Sequence, residues 1–176
     1  MKKIHKPIEK NCFEVFSLPL SYEINIAKLE KDFFELQKEF HPDKFVNGSK
    51  EEIFFAQFHS SNINSAYECL VDPVKRGYEL LRVLGFSSIN HEENSFKDKS
   101  VLLEVMELQQ ETENISSVKE KNEFIDRLEE KVLKLLKELN IKFIEKNLFE
   151  AYSINTRVSY LKKIITNVKD MKDFQI

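Results

Sequence analysis

The sequence predicts an all-α protein built as two helical domains, and three observations predict it. Only three Gly and four Pro interrupt 176 residues rich in Lys, Glu, Leu, Ile and Phe, so turns are few and helix formers many. Apolar residues recur at steps of three and four, the spacing that gathers side chains on one helical face. No segment carries the alternation of a half-buried strand.

The elements follow from the punctuation. Asn11 to Leu18 reads as a short helix stopped by Pro19, because proline cannot continue a helix interior. Asn25 is a suitable N-cap for a helix whose Ile26, Leu29, Phe33, Leu36 and Phe40 share a face, and Pro42 ends it. A loop from His41 to Gly48 leads to Ser49-Lys50-Glu51-Glu52, spaced as a capping box. The helix it opens buries Ala56, Ile63, Ala66 and Leu70 and runs to about Val71. Asp72-Pro73 then supplies an N-cap and a first-turn proline for a short helix closed by Gly85. Phe86 to Lys97 lacks apolar periodicity and reads as a linker, which sets the domains at 11–85 and 98–176.

The second domain reads as three helices over 98–114, 117–146 and 148–174. The middle one repeats Ile125, Leu128, Val132, Leu135 and Leu139 and carries the spacings Glu123/Arg127, Glu130/Lys134 and Glu138/Lys142 for ion pairs along a solvated face. The last buries Ile154, Val158, Leu161, Ile165 and Val168, with Asn147 and Glu150 spaced as a cap. Long helices joined by short loops lie antiparallel, so this half is a three-helix bundle.

Composition excludes several functions. With 27 Lys and Arg against 30 Asp and Glu the net charge is −3, without the basic excess of a nucleic-acid binder. No apolar run approaches the ~20 residues of a membrane span. Met1 to Asn11 fits neither a secretory signal nor a mitochondrial transit peptide, so a reducing bacterial cytoplasm is the expected compartment. Cys12 and Cys69 form no CxxC pair, and both are expected as small buried hydrophobes. His59, between Ala56 and Ile63, is expected at the core boundary rather than as a ligand; His5 and His91 fall in segments without pattern.

The constellation that carries function is His41-Pro42-Asp43-Lys44-Phe45, set between two amphipathic helices. Taken alone, His41 is also a cation at a helix C-terminus and Asp43 a turn former. The context decides between these readings. Leu29, Phe33, Leu36 and Phe40 before the loop, with Ile63-Asn64-x-Ala66-Tyr67-x-x-Leu70 after it, resemble a J-domain, the hairpin that activates Hsp70-type chaperones. Phe13-x-x-Phe16-x-Leu18-Pro19, Gly48, Asp72-Pro73, Arg76-Gly77-Tyr78-x-Leu80-Leu81 and the three-helix tail extend the resemblance to the HscB family over about Cys12 to Phe174.

That resemblance implies an L-shaped co-chaperone of iron–sulfur cluster assembly. Its His41, Pro42 and Asp43 would dock on the nucleotide-binding domain of a specialised Hsp70, HscA, with Lys31, Lys38 and Lys44 beside them, and stimulate its ATPase. Glu30, Asp32, Glu35 and Glu39 interleave these lysines, so an ordinary solvated face is an equal reading of any one of them. The chain itself has no Gly-rich phosphate loop, so no enzymatic role is expected.

A second surface is expected on the helix over 98–114. Val101, Val105, Leu108 and Ile115 make one stripe, whereas Leu102, Leu103 and Met106 lie on another side with Glu107 and Gln110. One stripe suffices for packing; the other is either a broad face wedged between neighbours or a binding patch. The resemblance implies that Leu102, Leu103, Met106, Glu107 and Gln110, with Tyr160 from the last helix, bind the cluster scaffold protein IscU. Gln110 and Asn114 stand where some relatives carry glutamates. No metal or cofactor is expected on this chain, and the cluster would ride on the partner. A general DnaJ-type role for unfolded clients is the alternative, although the Gly/Phe-rich and zinc-binding regions of such proteins are missing. A small enzyme using His41 and Asp43 as an acid–base pair ranks last, because no third group orients them.

Overall fold

The computed structural model describes residues 10–86 and 94–171, which are all helix, turn and loop. Residues 1–9 of the segment read as neither a secretory signal nor a transit peptide, most of the expected linker (87–93) and Phe174 lie outside them. The chain divides into two compact units, Met1–Val83 and Leu84–Ile176.

In the first unit α1 (Cys12–Val15) is held at its start by a capping box, Asn11 and Glu14 exchanging bonds of 3.0 Å. It ends short of the predicted Leu18. Ser17 turns left-handed at φ 51°, and the Leu18 and Ser17 N–H groups return to the Phe13 and Glu14 carbonyls at 2.9 and 3.3 Å. That two-bond closure normally uses glycine, and no glycine marks it here. Phe13 and Phe16 bury themselves beneath the remaining helices.

α2 (Ile26–Phe40) and α3 (Lys50–Val71) match the predicted bounds and form the hairpin. Their contacts run in opposite order along the two chains, as antiparallel packing requires. Phe33 stacks on Tyr67 at 4.1 Å, Gln37 Nε2 donates to Asn64 Oδ1 at 2.6 Å, and Phe40 meets Phe55 at 6.1 Å. Then α4 (Pro73–Val83) starts where Asp72 Oδ1 accepts from the Val74 and Lys75 N–H groups, and Gly85, at φ 78°, closes the segment. The Arg76 guanidinium lies 5.1 Å from the centre of the Tyr22 ring and donates to the Leu70 carbonyl, tying the α3–α4 corner to the loop before α2.

The second unit holds α5 (Asn94–Glu113), α6 (Val118–Ile144) and α7 (Leu148–Lys169). α5 begins four residues before the predicted Asp98, so the end of the expected linker is helical. The predicted stripes of α6 and α7 are buried throughout. α6 stops at Ile144 rather than Lys146, because Lys146 adopts φ 58° and the Asn147 N–H returns to the Lys142 carbonyl at 3.0 Å. Asn147 then caps α7 through the Glu150 N–H at 3.2 Å.

Of the three ion pairs expected along α6, Glu130 and Lys134 meet at 2.8 Å. Arg127 instead reaches Glu111 in the last turn of α5 at 2.6 Å, and Lys142 takes Glu145 at 2.8 Å. A partner on a neighbouring helix or on the helix end outcompetes one a turn away. Between α5 and α6, Glu104 meets Lys131 and Glu111 meets Arg127; along α6 and the end of α7, Lys121 donates to the Met171 carbonyl and Glu129 meets Lys169, so in each pair the contacts run in antiparallel order.

Candidate partner-docking surfaces

The His41–Phe45 segment is a single braced turn. His41 leaves α2 in an extended conformation, φ −61° and ψ 128°, as a residue before proline must. Pro42–Phe45 then form one 3-10 turn in which the Lys44 N–H donates to the His41 carbonyl at 3.0 Å. His41 Nδ1 accepts from the Asp43 N–H at 3.3 Å, and the same nitrogen lies 3.6 Å from Asp43 Oδ2, an ion pair only when the ring is protonated. The turn exits through Gly48, whose N–H donates to the Phe45 carbonyl at 2.8 Å. A Cβ at Gly48 would stand 3.0 Å from that oxygen and from Glu52 Oε2, so any larger residue here requires the turn to give by a few tenths of an ångström.

Backbone order and side-chain freedom are therefore combined here. Asp43 is 85% exposed and Lys44 is exposed, while α2 and α3 hold the chain beneath them. Lys31 and Lys38 are exposed on α2, but Lys31 lies 3.9 Å from Glu35, so part of its field is neutralised locally. At the end of the hairpin closed by this turn, Phe40, Phe55, Phe58 and His59 cluster, with His59 4.1 Å from Phe55 and 5.0 Å from Phe40. Burial holds the His59 imidazole below its usual pKa, with Lys10 acting in the same direction. Phe34, Phe54 and Val46 stand exposed nearby on the hairpin and its turn; single apolar residues outside the stripe gave no signal for them in the sequence.

The second surface is built by α5. Val101, Val105 and Leu108 are buried, and Ile115 sits half-buried beyond the helix end. Leu102, Leu103 and Met106 are 56, 61 and 57% exposed, so the broad-wedge reading of these residues does not hold. Glu107 and Gln110 are exposed on the same helix, and Tyr160 on α7 is 45% exposed. Asn114, also exposed, turns its amide back to the Gln110 carbonyl at 3.0 Å just past the helix end.

What fixes the rotation of α5 is a clamp that sequence reasoning missed. Arg157 grips Glu104 with both arms, at 2.6 and 2.8 Å, and Lys131 of α6 bonds to the same carboxylate. Burial raises the Glu104 pKa, but the Arg157 and Lys131 bonds outweigh it and hold the carboxyl below its ordinary range. Glu104 lies between Leu103 and Val105 in the chain, and Arg157 sits one turn before Tyr160. The clamp thus sets both exposed groups on α5 and α7 while Val101 and Val105 point inward. Cross-helix pairing of this kind leaves no spacing signature.

The cysteines differ from expectation. Both are half-buried, not core residues, and their thiols share a hydrogen bond between α1 and α3. Among the described residues no three His, Cys, Asp or Glu side chains converge as metal ligands, and no helix is long and apolar enough to cross a membrane.

Comparison with known proteins agrees with this geometry. The family described as the HSCB C-terminal oligomerisation domain matches residues 97–169. A co-chaperone protein HscB homolog of Vibrio atlanticus is 35% identical over 128 residues, covering 73% of this chain and 74% of its own. The crystal structure of human co-chaperone protein HscB superposes with a TM-score of 0.84 at 26% identity, over 93% of this chain and 83% of that one. Chaperone HscB from Vibrio cholerae gives 0.80 at 27%, over 91 and 96%. The fold, the braced turn and these relatives together show that the chain belongs to the HscB co-chaperone family.

Proposed function

We propose that this chain brings a cluster scaffold protein of the IscU type to a specialised Hsp70 of the HscA type and speeds that chaperone's ATP hydrolysis, promoting iron–sulfur cluster transfer in the bacterial cytoplasm. The carrying observation is Asp43: an exposed carboxylate on a turn braced by two packed helices and by its own backbone bonds. An Arg on the chaperone can take it as a bidentate, charge-assisted pair, with His41 and Pro42 setting its approach and Lys44, Lys38 and Lys31 offering cations beside it. Residues 11–85 serve the chaperone and 98–176 the scaffold. Leu102, Leu103, Met106 and Tyr160 supply apolar area, and Glu107 and Gln110 a polar rim.

The ATP chemistry belongs to the partner, and this chain acts by favouring the hydrolysis-competent conformation. The test is steady-state ATPase of the matching Hsp70 with the chain alone, with IscU alone and with both. Stimulation by the chain that rises further with IscU is expected. No stimulation would end the proposal, and equal synergy with a denatured client in place of IscU would assign the chain to general unfolded-protein traffic.

A further inference from the structure

The one pair of nucleophilic side chains outside both docking surfaces joins α1 to α3. Cys12 is the first residue of α1 and Cys69 lies in the last turn of α3, distant in sequence yet in hydrogen-bond contact through their thiols. The site is held against α4. The Cys12 N–H donates to Glu79 Oε1 of α4 at 3.1 Å, and Glu79 is itself gripped by Arg82 at 2.7 and 2.9 Å. Cys69 Sγ lies 3.8 Å from the Lys75 carbonyl. Neither thiol is sealed in the core.

We propose that Cys12 and Cys69 form a reversible intramolecular disulfide under peroxide, latching the first helix to the hairpin. The two sulfurs are unequal. Cys12 keeps its proton as the donor toward Cys69 and is further discouraged from ionising by burial, whereas Cys69 accepts that bond, and Lys75 and Arg82 also favour its thiolate against the opposing burial and Glu79. Cys69 is therefore the attacking group and Cys12 the resolving one. The Cys69 thiolate attacks one oxygen of hydrogen peroxide; the O–O bond breaks, and the leaving hydroxide takes a proton to become water. The Cys12 sulfur then attacks the Cys69 sulfenic acid as its own proton passes to the departing hydroxyl. The S–S bond forms, the S–O bond breaks and a second water leaves. Two thiols have lost two electrons, and peroxide has been reduced to two waters.

The full chain, reduced and desalted, is treated with equimolar hydrogen peroxide, alkylated and digested for mass spectrometry. Expected is a Cys12 peptide joined to a Cys69 peptide in monomeric protein, with both free thiols lost together and restored by dithiothreitol. In Cys12→Ala the remaining thiol should instead be captured by dimedone as a sulfenic acid. The crosslinked monomer should also melt several degrees higher than the reduced one, as a loop-closing bond that fits native geometry does. Thiols that stay alkylatable, oxidation to sulfinic acid without a crosslink, links only between chains, or a lower melting temperature would each overturn the proposal.

Discussion

Replacing Leu102 and Met106 together by Ala separates a binding surface from a packing surface. Their exposures of 56 and 57% mean that just over half of each side chain remains to be covered by a partner. Full burial of such a side chain is worth about 1.5–3 kcal/mol, so covering the remainder stabilises a complex by about 1 kcal/mol each. The pair therefore contributes about 2 kcal/mol, a ~30-fold rise in Kd for IscU by isothermal calorimetry. The fold should hardly notice. The area already covered is the smaller part, and Ala is the better helix former, which offsets part of its loss. Leu108→Ala is the contrasting control: that side chain is buried, and its removal should cost about 2–5 kcal/mol of stability. At ~4–8 °C per kcal/mol for a unit of this size, only the control should melt visibly lower. An unchanged Kd in a folded double variant, or a melting loss equal to the control's, would return Leu102 and Met106 to the packing of the bundle.

Asp43→Ala should abolish stimulation of the Hsp70 ATPase while leaving the melting temperature within the effect of about 0.5 kcal/mol usual for surface substitutions, because the side chain is exposed; normal stimulation would remove Asp43 from the docking turn. Glu104 should make the second unit acid-sensitive. Its folded pKa lies below the ordinary 4.5, so its contribution is complete above that value and fades as pH falls through the folded pKa. Glu104→Gln should cost about 1.5–3 kcal/mol at neutral pH, as loss of charged hydrogen bonds does, and should flatten this acid limb in chemical denaturation. Ser49→Ala removes the acceptor of the Glu52 N–H at the start of α3 and should lower the first unit's stability by about 1 kcal/mol, read by urea unfolding.

The elements that were legible from sequence are those whose ends are written in side-chain chemistry. Asn25, Pro42, Ser49 with Glu52, and Asp72-Pro73 each satisfy or remove a backbone donor, so α2, α3 and α4 begin and end where those residues stand. α1 and α6 ran long in the sequence reading for the converse reason. Ser17 and Lys146 take the left-handed conformation that closes each helix, and neither residue type advertises it. The braced turn at His41–Phe45 was legible as a turn between two helices because its residues are contiguous. The α5 patch was legible as apolar residues in excess of one stripe. Lateral relations were not: that Arg127 prefers Glu111 to Glu123, that Arg157 and Lys131 converge on Glu104, and that Cys12 meets Cys69 all depend on how helices rotate against one another.

The two surfaces solve one physical problem in different ways. Ordering a loop or side chain at the moment of binding subtracts from affinity, so a small contact serves only if its geometry exists beforehand. At the turn this is done by the backbone: the Lys44–His41 and Gly48–Phe45 bonds and the ring of Pro42 leave Asp43 little freedom except in its own side chain. On α5 it is done by charge, since the Glu104 clamp selects one rotation of the helix out of those its apolar residues allow. Leu102, Leu103 and Met106 are apolar enough to turn inward, and a helix with two apolar sides is ambiguous in its packing. A carboxylate that finds both Arg157 and Lys131 in only one orientation removes that ambiguity, so the clamp sets which face of α5 stays exposed through specificity of packing as well as through stability.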